Sequence, residues 1–486
     1  MRTFEWHDSR SQKFWTIEVR GKSFTITFGK VGTSGRTQAK SFATSEMAQA
    51  AADKLIRQKT SKGYIETTPP VATRQAVAFE QALADDPNDL GGWNAYADYL
   101  IEQGSPRGEF MQVQLALEDE SRSGAERKQL QDREKKLLEE HRREWLGNLA
   151  PHLLDRVPNH PGSTDHNPDL PATPGTEHRW RRGILDEIKV DCLTVALAQA
   201  LAGAPAVQFL RKLHVVSTAY YLGMQDETTP RRVPGSAEYR GYDEWLELLG
   251  APLLRTLRIF QMGDVDGEPP EEGWMDNHTY APGIERLIAG MPRIEELHLL
   301  CKEYNSAALF ALPNLTNLRV LRMVALGDPN RSGGEFEIQL DVLGGNRALG
   351  NLTHLMLHPH FADRSFIPLR HVAPVFSSPH LKSLIHLQLR LSDMGDEGVR
   401  EIVSSGILKR LKWLDLRHGC ITDEGANLFA ACADARNLER LDLSRNAVTS
   451  SGLRVLRQAG VKAVANNPLT EQELANQDYL HEGDFE

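Results

Sequence analysis

The chain has 486 residues, 40% of them hydrophobic and 25% charged, and a formal net charge of −10. That length exceeds one ordinary compact core and points to about three soluble globular domains. Four cysteines (Cys192, Cys301, Cys420 and Cys432) form no CxxC pair; this excludes a disulfide framework and reads as reduced thiols of a cytoplasmic protein.

Taken from the N-terminus, "MRTFEWHDSR" has no apolar h-region, so no secretory leader is expected there. "QKFWTIEVR" (12–20) and "SFTITFGKV" (23–31) then alternate apolar and polar residues about Gly21, the pattern of a hairpin. A third strand, "RTQAKSFA" (36–43), follows the glycine-punctuated turn "GKVGTSG". An alanine-rich helix, "SEMAQAAADKLIRQKTSKG", stops at Gly63, and "GYIE" closes the unit before "TTPP". Residues 1–66 hold twelve Lys/Arg against six Asp/Glu, a net of +6, which leaves −16 for residues 67–486. A basic module is thus joined to an acidic body, and partners respond to local potential.

The pieces "KFWTIEV", "FGKVGTSG", "KSFATSEMA" and "LIRQKTSKGYIE" resemble a WGR domain over residues 1–66, the module found in poly(ADP-ribose) polymerases and many bacterial proteins. The resemblance implies a small antiparallel β-sheet with a helix, and a DNA or RNA contact. The Trp-Gly-Arg triplet itself is represented by Phe28, Gly29 and Lys30. Phenylalanine keeps an apolar face without the indole donor, and lysine is a point charge without the bidentate fork. Phe28, Lys30, Arg36 and Lys40 are the candidate nucleic-acid residues, neutralising phosphates and stacking on a base or sugar. A solvated basic face over a small core is the other reading of the same residues. "GKVGTSG" is not GxGxxG, and its glycines are accounted for by a tight turn.

Residues 74–150 read as amphipathic helices broken at "DDPND" and "QGSPRG". With "HRREWLGNL" and "WRRGILDEI" they resemble a small repeat-companion domain that accompanies leucine-rich repeats in bacterial proteins. Within this stretch 119–145 reads as a solvated helix. Residues 151–180, with "PNHPGSTDHNPDLPATPGTEH", read as a Pro-rich linker. The uncharged segment 192–210 is diluted by Gln199, Gly203, Pro205 and Gln208, so it reads as a helix, a turn and a strand rather than a membrane span.

From 181 to 466 the pattern L-x-x-L-x-L recurs, with middle anchors Leu213, Leu257, Leu297, Leu321, Leu355, Leu387, Leu414 and Leu441. Gly398, Gly425 and Gly452 stand 27 residues apart, each at the start of a helical period. A strand plus helix per ~20–29 residues is the leucine-rich-repeat signature, and "ITDEGANLF" resembles the ribonuclease-inhibitor-like subclass. The expected fold is therefore α/β, ending in a solenoid with a parallel concave sheet and outer helices, followed by an acidic tail at 467–486.

Residues flanking the second and third apolar positions point onto the concave face. There His386, Arg390, Trp413, Asp415, Arg417, Arg440 and Asp442 are the candidate partner-binding residues, since an exposed tryptophan among arginines has the make-up of an interface hot spot. A neutral polar face with Trp413 partly covered is the plainer reading. No P-loop, HExxH, GxSxG or kinase set occurs, and the scattered histidines impose no metal geometry. The expectation is a cytoplasmic, non-enzymatic binding protein without cofactor, metal or membrane contact, holding a protein on its solenoid. The alternative is a DNA-binding transcriptional regulator of the molybdate-regulator type.

Overall fold

A computed structural model describes the chain apart from residues 1, 8–11, 31, 32, 34, 61, 63, 67–70, 156–175, 219–243, 264–278, 280, 302, 303, 326–337, 360–366, 368, 391, 393, 471 and 474–486. Most of the Pro-rich segment, residues 219–243 and 264–278 between repeats, and most of the acidic tail lie outside the described residues. The chain divides into two compact units, Met1–Ser105 and Pro106–Glu486.

In the first unit, β1 (Arg2–His7), β2 (Gln12–Arg20), β3 (Ser23–Lys30), β4 (Arg36–Ser41) and β5 (Ile65–Glu66) form an antiparallel sheet in the order β4-β3-β2-β1-β5. β2, β3 and β4 are the three successive strands read from the sequence; β1 pairs with β2 on their far side and β5 closes that edge. The Ser45–Thr60 helix buries Ala48, Ala52 and Ile56 at helical spacing, and Ala52 and Ile56 close a core with Phe4, Trp15, Ile17 and Phe24. Two further helices, Val71–Asp85 and Leu90–Glu102, are tied by the Tyr96 hydroxyl donating to Glu80 at 2.7 Å and by Phe79 stacked on Tyr96.

The second unit is built on one sheet, eleven strands among the described residues: β6 (Thr176–Arg181), β7 (Ile184–Leu193), β8 (Lys212–Thr218), β9 (Ile259–Met262), β10 (Glu296–Leu299), β11 (Val320–Ala325), β12 (His354–Pro359), β13 (His386–Leu389), β14 (Trp413–Asp415), β15 (Arg440–Asp442) and β16 (Ala463–Val464). Spatial order follows sequence order; β6 and β7 are antiparallel and every later pair is parallel. Leu297, Leu321, Leu355, Leu387, Leu414 and Leu441 stand side by side across it, all buried.

One anchor differs. Phe260, not Leu257, pairs with both Leu213 and Leu297. "LRTLRIFQM" carries apolar residues at 254, 257 and 260, so the spacing fits two registers; backbone pairing selects the later one, with Leu257, Phe260 and Met262 all buried. The sheet also begins at Thr176, inside the range read as linker, and a short helix occupies Ala150–Leu154.

The stretch read as one helical domain, 74–150, falls on both sides of the division between units. Its Pro106–Leu117 and Gly124–Leu146 helices belong to the solenoid, where Phe110, Leu137 and Leu146 join the core of Trp180, Leu185 and Ile188. The second of these is therefore not solvated all round. Trp145 lies 5.0 Å from Phe110 and 5.9 Å from Trp180, ring centre to ring centre. The Gln114 amide ties the β6–β7 turn: its oxygen accepts from the Gly183 N–H at 2.7 Å and its nitrogen donates to the Trp180 carbonyl at 3.2 Å. This assembly covers the open end of the repeat core, as terminal caps of a solenoid must.

The 27-residue glycine spacing has a physical cause. Asp396 accepts from the Thr422 N–H at 2.9 Å, the Thr422 hydroxyl at 2.6 Å and the Gly425 N–H at 2.9 Å, clamping the start of the next helix. A Cβ at Gly425 would stand 2.5 Å from that carboxylate. Asp423 repeats the clamp on Thr449. The uncharged segment 192–210 resolves into the end of β7, a Val195–Gly203 helix and a 3-10 turn at Pro205–Val207, and the expected strand, β8, starts just beyond it at Lys212. No helix among the described residues is long and apolar enough to cross a membrane.

Leu414 is 1% exposed between Leu387 and Leu441. Leu414→Ala should destabilise the solenoid by about 2–5 kcal/mol, read by calorimetry as a lowered solenoid transition with the transition of the N-terminal module unmoved.

Candidate functional site

In a parallel sheet, residues at one register position form a row across strands about 4.8 Å apart. His354, His386, Trp413 and Arg440 make such a row. The rings of His354 and His386 are 5.1 Å apart, His386 stacks on Trp413 at 5.5 Å with 19° between planes, and the Arg440 guanidinium lies 5.6 Å over the indole. Both indole faces are thus covered, and Trp413, 43% exposed, meets solvent along its edge.

The next row is Met356, Gln388, Asp415 and Asp442. The Asp415 carboxylate accepts from Arg390 Nε at 3.2 Å, from Arg417 Nη2 at 3.0 Å and from the Arg417 backbone N–H at 3.1 Å. Asp442 accepts from Arg440 Nη2 at 2.7 Å and from the Ser444 N–H at 3.1 Å. The two aspartates thereby fix the turn that leaves each strand while holding an arginine above the sheet. All seven concave residues singled out from the sequence line one depression of about 150 Å³, together with Gln388 and Leu414.

The geometry departs from the sequence reading in depth. Gln388, Asp442 and Ser444 are buried rather than displayed, Asp442 in its pairing with Arg440. Nothing in the repeat pattern distinguishes a displayed aspartate from one sunk beneath its neighbour's arginine. His386 has its pKa pushed down to about 4, by burial first and by the nearby His354 second. Burial also lowers His354. The row is therefore uncharged up to Arg440 at neutral pH.

In the N-terminal module, Phe28 pairs with Arg36 and Lys13 with Lys30, so Phe28, Lys30 and Arg36 share one end of one sheet face. Lys40 stands apart, opposite Phe24, with its ammonium 5.4 Å over Phe42. Lys30, Arg36 and Lys40 are exposed, while Phe28 is half-buried against the core. Trp15 is a core residue with Lys59 over its ring at 5.6 Å. Gly35 answers to packing: it has φ +68°, and a Cβ there would stand 2.6 Å from the Phe14 ring. Among the described residues no group of His, Cys, Asp and Glu could hold a metal ion.

Residues 1–70 match the WGR domain family, and residues 380–403, 411–430 and 434–456 match the leucine rich repeat family. The chain carries a WGR domain and leucine-rich repeats. Its WGR domain is 46% identical over 66 residues to protein YehF of Escherichia coli and 44% identical over 63 residues to the uncharacterized protein YfeS of the same organism. These matches cover 14% and 13% of this chain, and 24% and 26% of those proteins, so the chain spans about a quarter of their length. A crystal structure of a Bacteroides fragilis protein is similar at 17% identity and a TM-score of 0.41, covering 98% of this chain and 99% of that one. A leucine-rich-repeat protein of Leptospira interrogans is similar at 15% identity and a TM-score of 0.26, covering 57% and 70%. A WGR domain joined to leucine-rich repeats supports a binding or scaffold role in general terms.

The depressed His386 pKa carries a sign. Because the folded state holds the imidazole at about 4, below its ordinary 6.5, the unfolded chain binds the proton first as pH falls. The stability this group contributes is whole above pH 6.5 and is lost between there and about 4. Unfolding free energy measured by denaturant across that window should fall less steeply for His386→Gln than for the wild type.

Proposed function

We propose that this protein is a non-enzymatic scaffold whose repeats hold a protein partner on the concave face around Trp413, while the WGR domain adds a nucleic-acid contact through Phe28, Lys30 and Arg36. The observation that carries the reading is the convergence of His386, Arg390, Trp413, Arg417 and Arg440 on one depression. The solenoid does not need these side chains for its core, which Leu411, Leu414, Leu416, Leu438, Leu441 and Leu443 fill. An aromatic held by stacking on both faces and ringed by arginines is pre-organised, so little conformational entropy is lost when a partner covers it. No observation favours the transcription-regulator alternative.

The partner surface is tested by Trp413→Ala. The lost stacking on His386 and Arg440 should cost about 1 kcal/mol of stability, whereas a hot spot should weaken the partner by about 2 kcal/mol or more. Calorimetry of the variant and quantitative recovery of the proteins that co-purify with it from the native host separate the two effects. Recovery equal to wild type would remove the concave face from the proposal.

The nucleic-acid contact is tested by Lys30→Glu combined with Arg36→Glu in the full chain. Wild-type binding to a DNA duplex or an RNA hairpin, read by gel shift, should weaken steeply as salt rises, because binding releases counterions. The double variant should abolish the shift and keep its melting profile. A wild-type chain that shifts neither at low salt would leave those charges as a solvated face.

A further inference from the structure

The depression beside Trp413 has a layered charge arrangement. Asp442 lies low, its side chain 8% exposed, and the Arg440 side chain above it is 50% exposed, joined by the 2.7 Å contact from Nη2. That contact uses one of the five N–H donors of a guanidinium. Asp415 is 15% exposed and already accepts from Arg390, from Arg417 and from the Arg417 backbone. The lining thus places its carboxylates at the floor and a half-exposed guanidinium at the mouth, laid over the indole. The cavity, about 150 Å³, has room for a single side chain rather than a helix.

We propose that this depression receives the carboxylate of an acidic peptide segment of the protein partner, with Arg440 as its clamp and the edge of Trp413 as the wall for the segment's apolar neighbour. The inference rests on the partner-surface reading above and adds the chemistry of what that surface takes. A carboxylate presents two acceptor oxygens to the planar fork of the guanidinium, a fit an ammonium does not reproduce. A basic segment would meet Arg440 first and be repelled, since both aspartates are covered by the arginines they hold. Arg440 needs no rearrangement of the sheet to respond: it lies at the outer end of the row, where β15 is followed by β16 of two residues.

The test uses the full chain and a fluorescein-labelled peptide, Glu-Glu-Phe-Glu-Glu, beside its counterpart Gln-Gln-Phe-Gln-Gln, with fluorescence anisotropy at about 150 mM salt, where surface charges beyond roughly 8 Å are screened. The acidic peptide should bind on the order of tenfold more tightly than the glutamine peptide, as charge-assisted bonds are about twice as strong as neutral ones. Arg440→Gln should remove that preference, and Arg440→Lys should restore only part of it. Equal affinity for the two peptides overturns the proposal. So does tight binding of the acidic peptide that Arg440→Gln leaves unchanged, since the peptide then lands elsewhere, the basic WGR domain being the obvious place. If the charge preference is absent while Trp413→Ala still loses the co-purifying partner, the partner surface stands and only its acidic preference falls; if Trp413→Ala also retains the partner, both fall together.

Discussion

The structure of the larger unit depends on one constraint: no repeat can bury its own apolar stripe or satisfy its own strand. Leu387, Leu414 and Leu441 are buried because each lies between the equivalent residues of its neighbours. The strand N–H groups and carbonyls pair across the same boundaries, and Asp396 and Asp423 reach over them to hold the following helix. Stability in such a stack is a sum of nearest-neighbour terms. Its two ends must therefore be closed by something other than a repeat, which is the part the Phe110, Trp145 and Trp180 cluster takes at the N-terminal end.

The same constraint creates the candidate site. Stacking identical units sets side chains from one register position about 4.8 Å apart, so His354 and Arg440, 86 residues apart in sequence, belong to one row. Because the interior of the stack is filled by leucines, the concave rows are released from packing and can carry aromatic and charged groups at little cost to the fold. The aspartates at 415 and 442 do both jobs, accepting backbone N–H groups at the strand exit and fixing arginines above the sheet. Position and charge are thereby set by the scaffold before any partner arrives, the condition under which an interface loses least on binding.

The WGR domain follows a different logic. Its sheet buries one face under a single helix, and glycine stands at position 35 because Phe14 and the Phe28 carbonyl leave no room there for a side chain. The positive charges that accompany this turn are not explained by packing: Lys30 and Arg36 are exposed beside a half-buried Phe28. Lys40, from the same strand, is drawn away to Phe42. A cluster of three charges in the sequence becomes a pair beside one aromatic ring.

Periodicity alone determined much of this protein. The alternation in residues 12–31, the leucine spacing and the 27-residue glycine interval each reflect a local geometric requirement, strand pleat or repeat length, that the sequence cannot satisfy in another way. The outward positions of His386, Trp413 and Arg440 followed from the same alternation. Tertiary structure decided what local spacing leaves degenerate. Backbone pairing chose Phe260 over Leu257 as an anchor, since apolar residues at 254, 257 and 260 satisfy two registers equally. Packing against Trp180 recruited the 106–146 helices to the solenoid, because a hydrophobic stripe specifies that a face is buried and not against what. Depth on the concave face was decided in the same way: Asp442 sinks and Arg440 remains at the mouth because burial of a carboxylate depends on a partner reaching it in space, and that distance has no counterpart along the chain.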